Sequence, residues 1–262
     1  MTVAQPDSPG YGFRLERLGN GWLVGRFAAL EALGIPHVVT TRQGPDVQQI
    51  RHDTATAGRQ IADVLGLNDV AFLEQVHRGD ALVCDLGGEA GRADGVMTVS
   101  VGLALLGKSG DCPIILFADM HRRAVAFAHA SWRSTVAGIG PAVVGRMVEL
   151  GCEPADLVAC ICPSAGPCCY EVGPEVRSAA IEGIGSHAAT FFRASDEDPD
   201  ASGKCRFDLW QANADALMRS GLAPERVHVA GVCTLCRNDL FPSHRREGAA
   251  AGRFAAVIGL SS

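Results

Sequence analysis

A thiol and an imidazole border two apolar runs in the middle of the chain. Cys112 opens the run CPIILFA, His129 lies near the end of the run AVAFAHA, and a polar turn joins the two. If the runs pair as neighbouring antiparallel strands, the start of one lies beside the end of the other. Cys112 and His129 then share one edge of a sheet. A thiol beside an imidazole is either a nucleophile–base pair or half of a metal site.

A third candidate ligand is His77, which closes the short run AFLEQVH. Zinc in catalytic sites typically takes three protein ligands and leaves one position open, and His77, Cys112 and His129 could supply such a set. The three are far apart in sequence and carry no CxxC or HExxH pattern. Spacing alone therefore favours the plainer interpretation, in which Cys112 is a core thiol and the histidines are hydrogen-bonded.

The chain has ten cysteines, and their spacing is not that of a disulfide framework. Cys233-x-x-Cys236 lacks a second CxxC or a histidine pair, and no helix clearly starts there, so packing is favoured over metal or redox chemistry. Packing also explains the CxC at 160–162 and the pair at 168–169. Most of the ten are expected to be free thiols that behave as small hydrophobic side chains.

Composition limits the function classes. The formal net charge of -6 argues against a general nucleic-acid binder, and no apolar run approaches the length of about 20 residues that spans a bilayer. The N-terminus lacks the features of a signal peptide, so a cytoplasmic location is expected. Dinucleotide and P-loop fingerprints are absent, so a phosphate site would be built from arginine side chains. Candidates near loop edges are Arg42, Arg133, Arg245 and Arg246.

Hydrophobic periodicity and turn signals predict a mixed order of strands and helices. Strands are predicted at 13–18, 22–27, 36–41, 81–85, 95–99, 101–106, 157–162, 227–232 and 254–260, besides the two runs around Cys112 and His129. Helices are predicted at 54–67, 135–150, 174–181 and 209–220. Residues 1–10 and the charged loop 195–204 are predicted to be flexible, and 11–262 a single α+β domain with mixed sheets flanked by helices.

Several sequence motifs occur in an order that matches a known family. They are TTRQG (40–44), EQVH (74–77), ADGVMT (93–98), SGDCPIILFAD (109–119), AHASWRST (128–135), PSAGPCCYEVG (163–173), GVCT (231–234) and FPSHRREGAAAGR (241–253). On these the chain resembles the YfiH family, also called the laccase-domain or polyphenol-oxidase family, whose members have been reassigned as zinc-dependent purine nucleoside phosphorylases. The resemblance implies an α/β/β/α layered fold and places the zinc ligands on His77, Cys112 and His129.

The resemblance also implies an activity. Members of the family cleave adenosine, inosine, guanosine and methylthioadenosine with phosphate, and they deaminate adenosine. Small-molecule purine nucleosides and phosphate are the partners that this implies. Cys112, His129 and Glu171 would then be catalytic, with Glu171 as the acid or base. Arg42, Arg133 and Arg245 would bind phosphate or substrate.

The sequence departs from the family pattern at three motifs. The usual TADC reads SGDC at 109–112, and the usual SYRR reads SHRR at 243–246. The usual HAGWRG reads HASWRS, which replaces two glycines with Ser131 and Ser134. If those glycines allow close backbone approach to a substrate, the pocket is expected to be narrower here.

Three other functions compete with the phosphorylase. A copper-dependent polyphenol oxidase needs many imidazoles, commonly in His-x-His pairs, but this chain has eight histidines and no such pair. Copper remains an alternative metal, since it exceeds zinc in affinity for such ligands. A metal-free hydrolase would use Cys112 as nucleophile and His129 as base. A binding module, its site closed by Ser131 and Ser134, would bind nucleosides without turnover.

Overall fold

The computed structural model describes residues 12–121, 124–194 and 203–261. The segment 1–10, predicted to be flexible, and 195–202 of the predicted loop lie outside the described residues. The strands are β1 (Phe13–Arg17), β2 (Leu23–Phe27), β3 (His37–Thr40), β4 (Asp69–Glu74), β5 (Ala81–Val83), β6 (Gly88–Arg92), β7 (Gly95–Thr98), β8 (Leu103–Ser109), β9 (Ile114–Asp119), β10 (Val125–His129), β11 (Leu157–Ile161), β12 (Glu171–Val172), β13 (Phe192–Ala194), β14 (Cys205–Phe207), β15 (Val227–Val229) and β16 (Phe254–Gly259). The α-helices are α1 (Ala28–Ala32), α2 (Val47–His52), α3 (Thr54–Val64), α4 (Trp132–Val136), α5 (Ile139–Glu149), α6 (Pro174–Ile184), α7 (Leu209–Arg219) and α8 (His244–Glu247).

In the described part of the chain, the strands form two large mixed sheets and a small one. The larger sheet has the order β1-β2-β3-β16-β8-β4-β6, and the second has the order β15-β11-β9-β10-β7-β5. The small sheet has the order β12-β14-β13. Each large sheet combines antiparallel pairs, such as β16 with β8 and β10 with β9, with parallel pairs, such as β4 with β8 and β11 with β15. The predicted fold class, α+β with mixed sheets, is confirmed.

Within the described residues, the three largest clusters of the hydrophobic core lie between the two large sheets and on their two outer faces, beneath helices. The two large sheets pack face to face through residues such as Leu105, Phe127 and Phe254. Helices α5 and α7 cover the outer face of the second sheet, and α2 and α3 cover that of the larger sheet. Successive residues of β9 belong to different cores, Ile114 to the central one and Ile115 to the outer one, because side chains alternate across a strand. Burial on both faces explains why this strand reads as an unbroken apolar run.

The structure differs from the sequence-based elements at glycine-rich segments. The helix predicted at 135–150 is two helices, because Gly138 adopts a left-handed conformation with φ of 78° and separates α4 from α5. The glycine-rich segment at 87–95, interpreted as a separator of strands, contains β6. Within the described residues, no helix has the length and apolar character needed to cross a membrane.

The pair β9–β10 is the element that the site depends on. The two strands are antiparallel, and His129 lies opposite Ile114 in the register. Cys112, two residues before Ile114, therefore lies at the edge where β10 ends. The predicted juxtaposition of the two apolar runs is confirmed.

Candidate metal centre and its pocket

His77, Cys112 and His129 converge. Each offers one ligand atom, and these atoms all lie within 4.8 Å of one another. The two imidazole rings meet edge to face, with their centroids 5.0 Å apart. His129 is buried, Cys112 is partly exposed and His77 is exposed, so the group opens to solvent on the side of His77. The structure brings together the three residues that the sequence named as a ligand set.

The buried carboxylate of Asp94 holds both histidines in place. The Nδ1 of His129 donates to Oδ1 of Asp94 over 2.7 Å, which leaves Nε2 free to face Cys112. The other carboxylate oxygen accepts from the backbone N–H groups of Val76 at 3.3 Å and Arg78 at 2.6 Å, on either side of His77. These bonds accompany the left-handed φ of 61° at His77. Carboxylate–histidine pairs of this kind orient metal ligands in many proteins.

Sequence reasoning did not assign a role to Asp94, although it lies in the ADGVMT motif. The available signal was the position of Asp94 directly before the buried strand β7. A carboxylate at such a position is buried and needs hydrogen-bond donors, which here are backbone N–H groups and His129.

Cys112 and His129 form a polarised pair. Burial opposes ionisation of the thiol, but hydrogen bonds with His129 and His77 outweigh it and lower the pKa of Cys112 to about 6. Burial also opposes protonation of His129, but Asp94 and Cys112 outweigh it and raise the pKa of His129 to about 9. A thiolate is the form of cysteine that binds a metal or acts as a nucleophile.

Asp111, directly before Cys112, connects the site to two distant loops. It is buried and has φ of 101°, in the left-handed region that non-glycine residues rarely adopt. Thr234 donates its hydroxyl to Oδ1 of Asp111 over 2.6 Å, and the backbone N–H of Arg245 donates to Oδ2 over 2.7 Å. The backbone carbonyl of Asp111 accepts from Ala165 over 2.8 Å. These contacts fix the backbone that carries Cys112.

The three candidate ligand residues line a pocket of about 450 Å³. Basic side chains of Lys108, Arg253 and His244 also line it, together with Glu74 and Gln75. Burial and the nearby Arg253 lower the pKa of Lys108, and burial and Arg51 lower that of Arg253. Two cations that are partly desolvated and close to each other favour an anion between them. Sequence reasoning did not identify Lys108 and Arg253, because their charge was the only signal for them.

The other residues named from the sequence lie outside that lining. Arg42 pairs with Glu247 and donates to the backbone of Asn238. Arg133 lies over the ring of Trp132, with its guanidinium carbon 4.3 Å from the ring centroid.

Arg245 and Glu171 contact each other. Arg245 donates to the backbone carbonyl of Glu171 over 2.8 Å, and its guanidinium carbon lies 5.5 Å from the ring centroid of Tyr170. The carboxylate of Glu171 pairs with Lys204 at 3.0 Å. Strand β12, which carries Glu171, and helix α8, which carries Arg245, therefore lie side by side.

The two serines that depart from the family pattern are part of a helix start. Ser131 is the N-cap of α4, and its hydroxyl accepts from the backbone N–H of Ser134 over 3.1 Å. The two hydroxyl oxygens lie 2.8 Å apart. Both residues are buried and stand apart from the pocket lining. The two serines therefore do not narrow this pocket, contrary to the expectation from the sequence.

A second group of potential ligands lies on the loops around Asp111. We refer to the residues Cys168, Cys169, Cys233 and Cys236 as the four-cysteine cluster, because their sulfur atoms all lie within 4.8 Å of one another. The sequence interpretation, which assigned these cysteines to packing, did not foresee that the two segments meet. Packing does explain Cys160 and Cys162, which are fully buried in β11 or next to it, where burial raises the pKa of each thiol.

Comparisons with known proteins agree with the motif resemblance. The chain is 30% identical over 249 residues to a purine nucleoside phosphorylase of Xylella fastidiosa, which covers 86% of this chain and 92% of that protein. It is 35% identical over 170 residues to purine nucleoside phosphorylase YlmD of Bacillus subtilis, covering 64% of this chain but only 58% of that protein. The crystal structure of YfiH from Bacillus licheniformis superposes with a TM-score of 0.81 at 25% identity, over 91% of this chain and 96% of that one.

A family model described as multi-copper polyphenol oxidoreductase laccase matches residues 39–261. The match begins within β3 and continues through β16, and it includes all three candidate ligand residues, the pocket and the four-cysteine cluster. YfiH and YlmD are structural neighbours of this chain, and the chain belongs to the laccase-domain family.

Proposed function

We propose that this protein is a zinc-dependent purine nucleoside phosphorylase that cleaves adenosine, inosine, guanosine and methylthioadenosine with phosphate and also deaminates adenosine. The observation that carries the proposal is the convergence of His77, Cys112 and His129, with ligand atoms within 4.8 Å of one another, at the wall of a pocket of about 450 Å³. Relatives named as purine nucleoside phosphorylases support the reaction type.

The donor set fits zinc. Two imidazoles and one thiolate are borderline to soft ligands, which zinc accepts readily, and three protein ligands leave one position open for catalysis. Asp94 supplies the outer carboxylate that orients His129 and fixes its tautomer. When bound there, zinc supplies Lewis-acid polarisation and an acidified water.

The cationic wall of the pocket suits phosphate. In phosphorolysis a phosphate oxygen forms a bond to the anomeric carbon of the ribose, and the bond from that carbon to the purine nitrogen breaks. Lys108 and Arg253, both on the pocket wall, would hold the phosphate and reduce its repulsion from the rest of the site. Arg42, Arg133 and Arg245 remain candidates for substrate binding, of which Arg245 is tied to the site through Asp111.

The leaving purine needs a proton or a hydrogen bond at its nitrogen. Glu171 is the candidate acid or base, and its exchange of a proton requires that its ion pair with Lys204 opens. This pair is partly exposed, so its opening costs little. A Glu171→Gln variant that kept full activity would remove Glu171 from the reaction.

One observation favours a second candidate function, a metal-free thiol hydrolase. Cys112, His129 and Asp94 form a thiol–imidazole–carboxylate series, with the pKa of Cys112 lowered to about 6 by its histidine hydrogen bonds against the opposing effect of burial. A hydrolase of this type has no use for His77, however, whose ligand atom joins the same group. The third ligand favours the metal.

The hypothesis of a copper oxidase is less favoured than that of a zinc-dependent phosphorylase. Within the described residues, the two groups of convergent ligands contain only two histidines between them. A site with one thiolate and two imidazoles still binds copper strongly, so copper must be kept out of activity assays.

The test uses zinc-loaded, copper-free protein with adenosine or inosine, in the presence and absence of phosphate. We expect phosphate-dependent release of free base and ribose 1-phosphate, and inosine formation from adenosine. Cys112→Ala is expected to reduce both reactions to the uncatalysed background, whereas Cys84→Ser, a thiol outside both clusters, keeps them. Either reaction surviving in Cys112→Ala would contradict the single-centre proposal, and turnover of an ester by zinc-free protein would favour the hydrolase.

A further inference from the structure

The four-cysteine cluster joins two loops that are distant in sequence. Cys168 and Cys169 lie in the turn before β12, and Cys233 and Cys236 follow β15. The sulfur of Cys236 lies 3.6 Å from that of Cys168 and 3.4 Å from that of Cys169. These are non-bonded distances, so the four residues converge as thiols.

The spacing matches a single tetrahedral ion. Zinc–sulfur bonds of about 2.3 Å in a regular tetrahedron separate the sulfurs by about 3.8 Å. Here every pair of sulfurs lies within 4.8 Å, and two of the pairs, Cys169 with Cys236 and Cys168 with Cys236, are at 3.4 Å and 3.6 Å. A polynuclear iron–sulfur cluster would hold some of its cysteine sulfurs farther apart. The geometry therefore has room for one ion and not for a cluster.

Backbone donors surround the innermost thiol. The N–H of Gly166 donates to the sulfur of Cys233 over 3.3 Å, and the N–H groups of Leu235 and Cys236 are also hydrogen-bonded to Cys233. Donors from the second and third residues after the first cysteine of a CxxC are suited to stabilise a thiolate with bound metal. Gly166 is required for this approach, since a Cβ there would lie 2.7 Å from the ring of Trp210.

Packing does not account for the cluster. Cys168 and Cys236 are exposed and Cys169 is partly exposed, whereas Cys160 and Cys162 in the core are buried. Four thiols gathered at a surface, with only one of them buried, gain little from the exclusion of water. Four soft thiolates in a tetrahedral arrangement select zinc or iron over harder ions.

We propose that the four-cysteine cluster binds one zinc ion in a closed, structural site that fastens the loop of Cys168 and Cys169 to the loop of Cys233 and Cys236. All four coordination positions are taken by protein, so this ion has no open position for a substrate. Its role is to hold the two loops together.

The fastening reaches the first metal centre through Asp111. Thr234, next to Cys233, donates to the carboxylate of Asp111, and Ser164 pairs with Cys233 in an isolated bridge. Asp111 carries the strained backbone that precedes Cys112. The second ion would therefore hold the two loops together and, through Thr234 and Asp111, help to fix the position of Cys112.

The test counts metal ions in full-length protein expressed with zinc and purified under reducing conditions. Elemental mass spectrometry is expected to give about two zinc ions per chain. Cys236→Ser and Cys112→Ala are each expected to lose one of them, and the control Cys84→Ser keeps both. Replacement of zinc by cobalt(II) is expected to give the intense long-wavelength visible bands of cobalt bound by four thiolates in wild type and in Cys112→Ala. In Cys236→Ser these bands are expected to be lost, and only the weaker bands of cobalt at His77, Cys112 and His129 remain.

Other outcomes overturn the proposal. If wild type and Cys236→Ser each hold one zinc ion per chain, the four-cysteine cluster binds no ion. If a titration of the unfolded protein finds two thiols fewer than expected, the cluster contains a disulfide instead. Iron in place of zinc overturns the choice of metal. If Cys236→Ser does not fold, Cys236→His supplies a conservative ligand and is expected to retain two zinc ions with altered cobalt bands. These measurements do not use activity, so they stand or fall separately from the proposed phosphorylase.

Discussion

The two thiol clusters of this protein differ in what surrounds their ligands. The first has two imidazoles and one thiolate, opens to a pocket and is supported by the carboxylate of Asp94. The four-cysteine cluster has only thiols, and backbone N–H groups support it. Three ligands with an open position suit chemistry on a substrate, and four ligands with none suit structure. Under the two proposals, the first cluster therefore takes part in the reaction and the four-cysteine cluster positions the loops.

The clusters are also connected. Asp111 lies beside Cys112 of the first cluster and accepts from Thr234, which follows Cys233 of the second. A change at either cluster can therefore reach the other through one buried carboxylate. Substitutions that affect one cluster only, or both, measure how far the division of roles holds.

The largest effect is expected from Asp94→Asn. The amide has one acceptor oxygen, so it cannot accept from Val76 and Arg78 and also from Nδ1 of His129, as the two carboxylate oxygens do, and it removes the charge beside His129. Loss of such an outer-shell partner typically lowers metal affinity by about 10–100-fold. Competition with a chromophoric zinc chelator measures the affinity of the first site.

The cobalt bands of the four-cysteine cluster provide the internal reference for this variant, and we expect them to be unchanged. Asp208→Asn is the matched control, because Asp208 caps α7 away from both clusters and asparagine is also a good N-cap. If zinc affinity were unchanged in Asp94→Asn, Asp94 would contribute to the fold only. The proposed difference between the two clusters, that a carboxylate supports the ligands of the first, would then be wrong.

Thr234→Val is expected to have a smaller effect than Asp94→Asn. It should lower both the free energy of unfolding and the activity. Valine keeps the shape but cannot donate to Asp111, so a buried carboxylate oxygen loses its hydrogen bond, at a cost of about 1–3 kcal/mol. Because Asp111 fixes the backbone of Cys112, we also expect a several-fold lower kcat/KM with both zinc ions still bound. Thermal unfolding and steady-state kinetics on the same sample check the two parts.

Thr135→Val is the control for this substitution. Thr135 is also buried and donates to the carbonyl of Ala130, but it has no contact with Asp111. A similar loss of stability with unchanged kinetics is expected there. If Thr234→Val behaves in the same way, the two clusters act independently and the connection through Asp111 has no kinetic consequence.

The parts of the site that could be predicted depend on local strand pairing. Cys112 and His129 flank two apolar runs joined by a short turn, so a hairpin between them follows from the sequence, and the register of β9 and β10 agrees. The mixed sheets could be predicted in class, because buried strands read as apolar runs. His77 was a candidate ligand from its position at the end of an apolar run, but only the resemblance to the family made the three-residue metal site the favoured interpretation.

The rest depends on contacts between distant segments that no local pattern records. Cys169 and Cys236 are separated by 67 residues, and their meeting depends on how β11, β15 and the following loops are arranged. A single CxxC and a pair of adjacent cysteines each look like packing when read alone. Asp94 was missed for a related reason, since its partners His129, Val76 and Arg78 come from two other segments.

The smallest effect is expected from Ser131→Gly with Ser134→Gly, which restores the two family glycines. Ser131 caps α4 and both hydroxyls are buried against each other, so the loss is that of a capping bond, a few tenths of a kcal/mol, or about 1 °C in Tm. Because neither residue lines the pocket, we expect KM for adenosine and phosphate to stay the same. A several-fold fall in KM, or activity that appears only in the glycine variant, would instead mean that the serines restrict substrate binding and would favour the binding-module function for the natural chain.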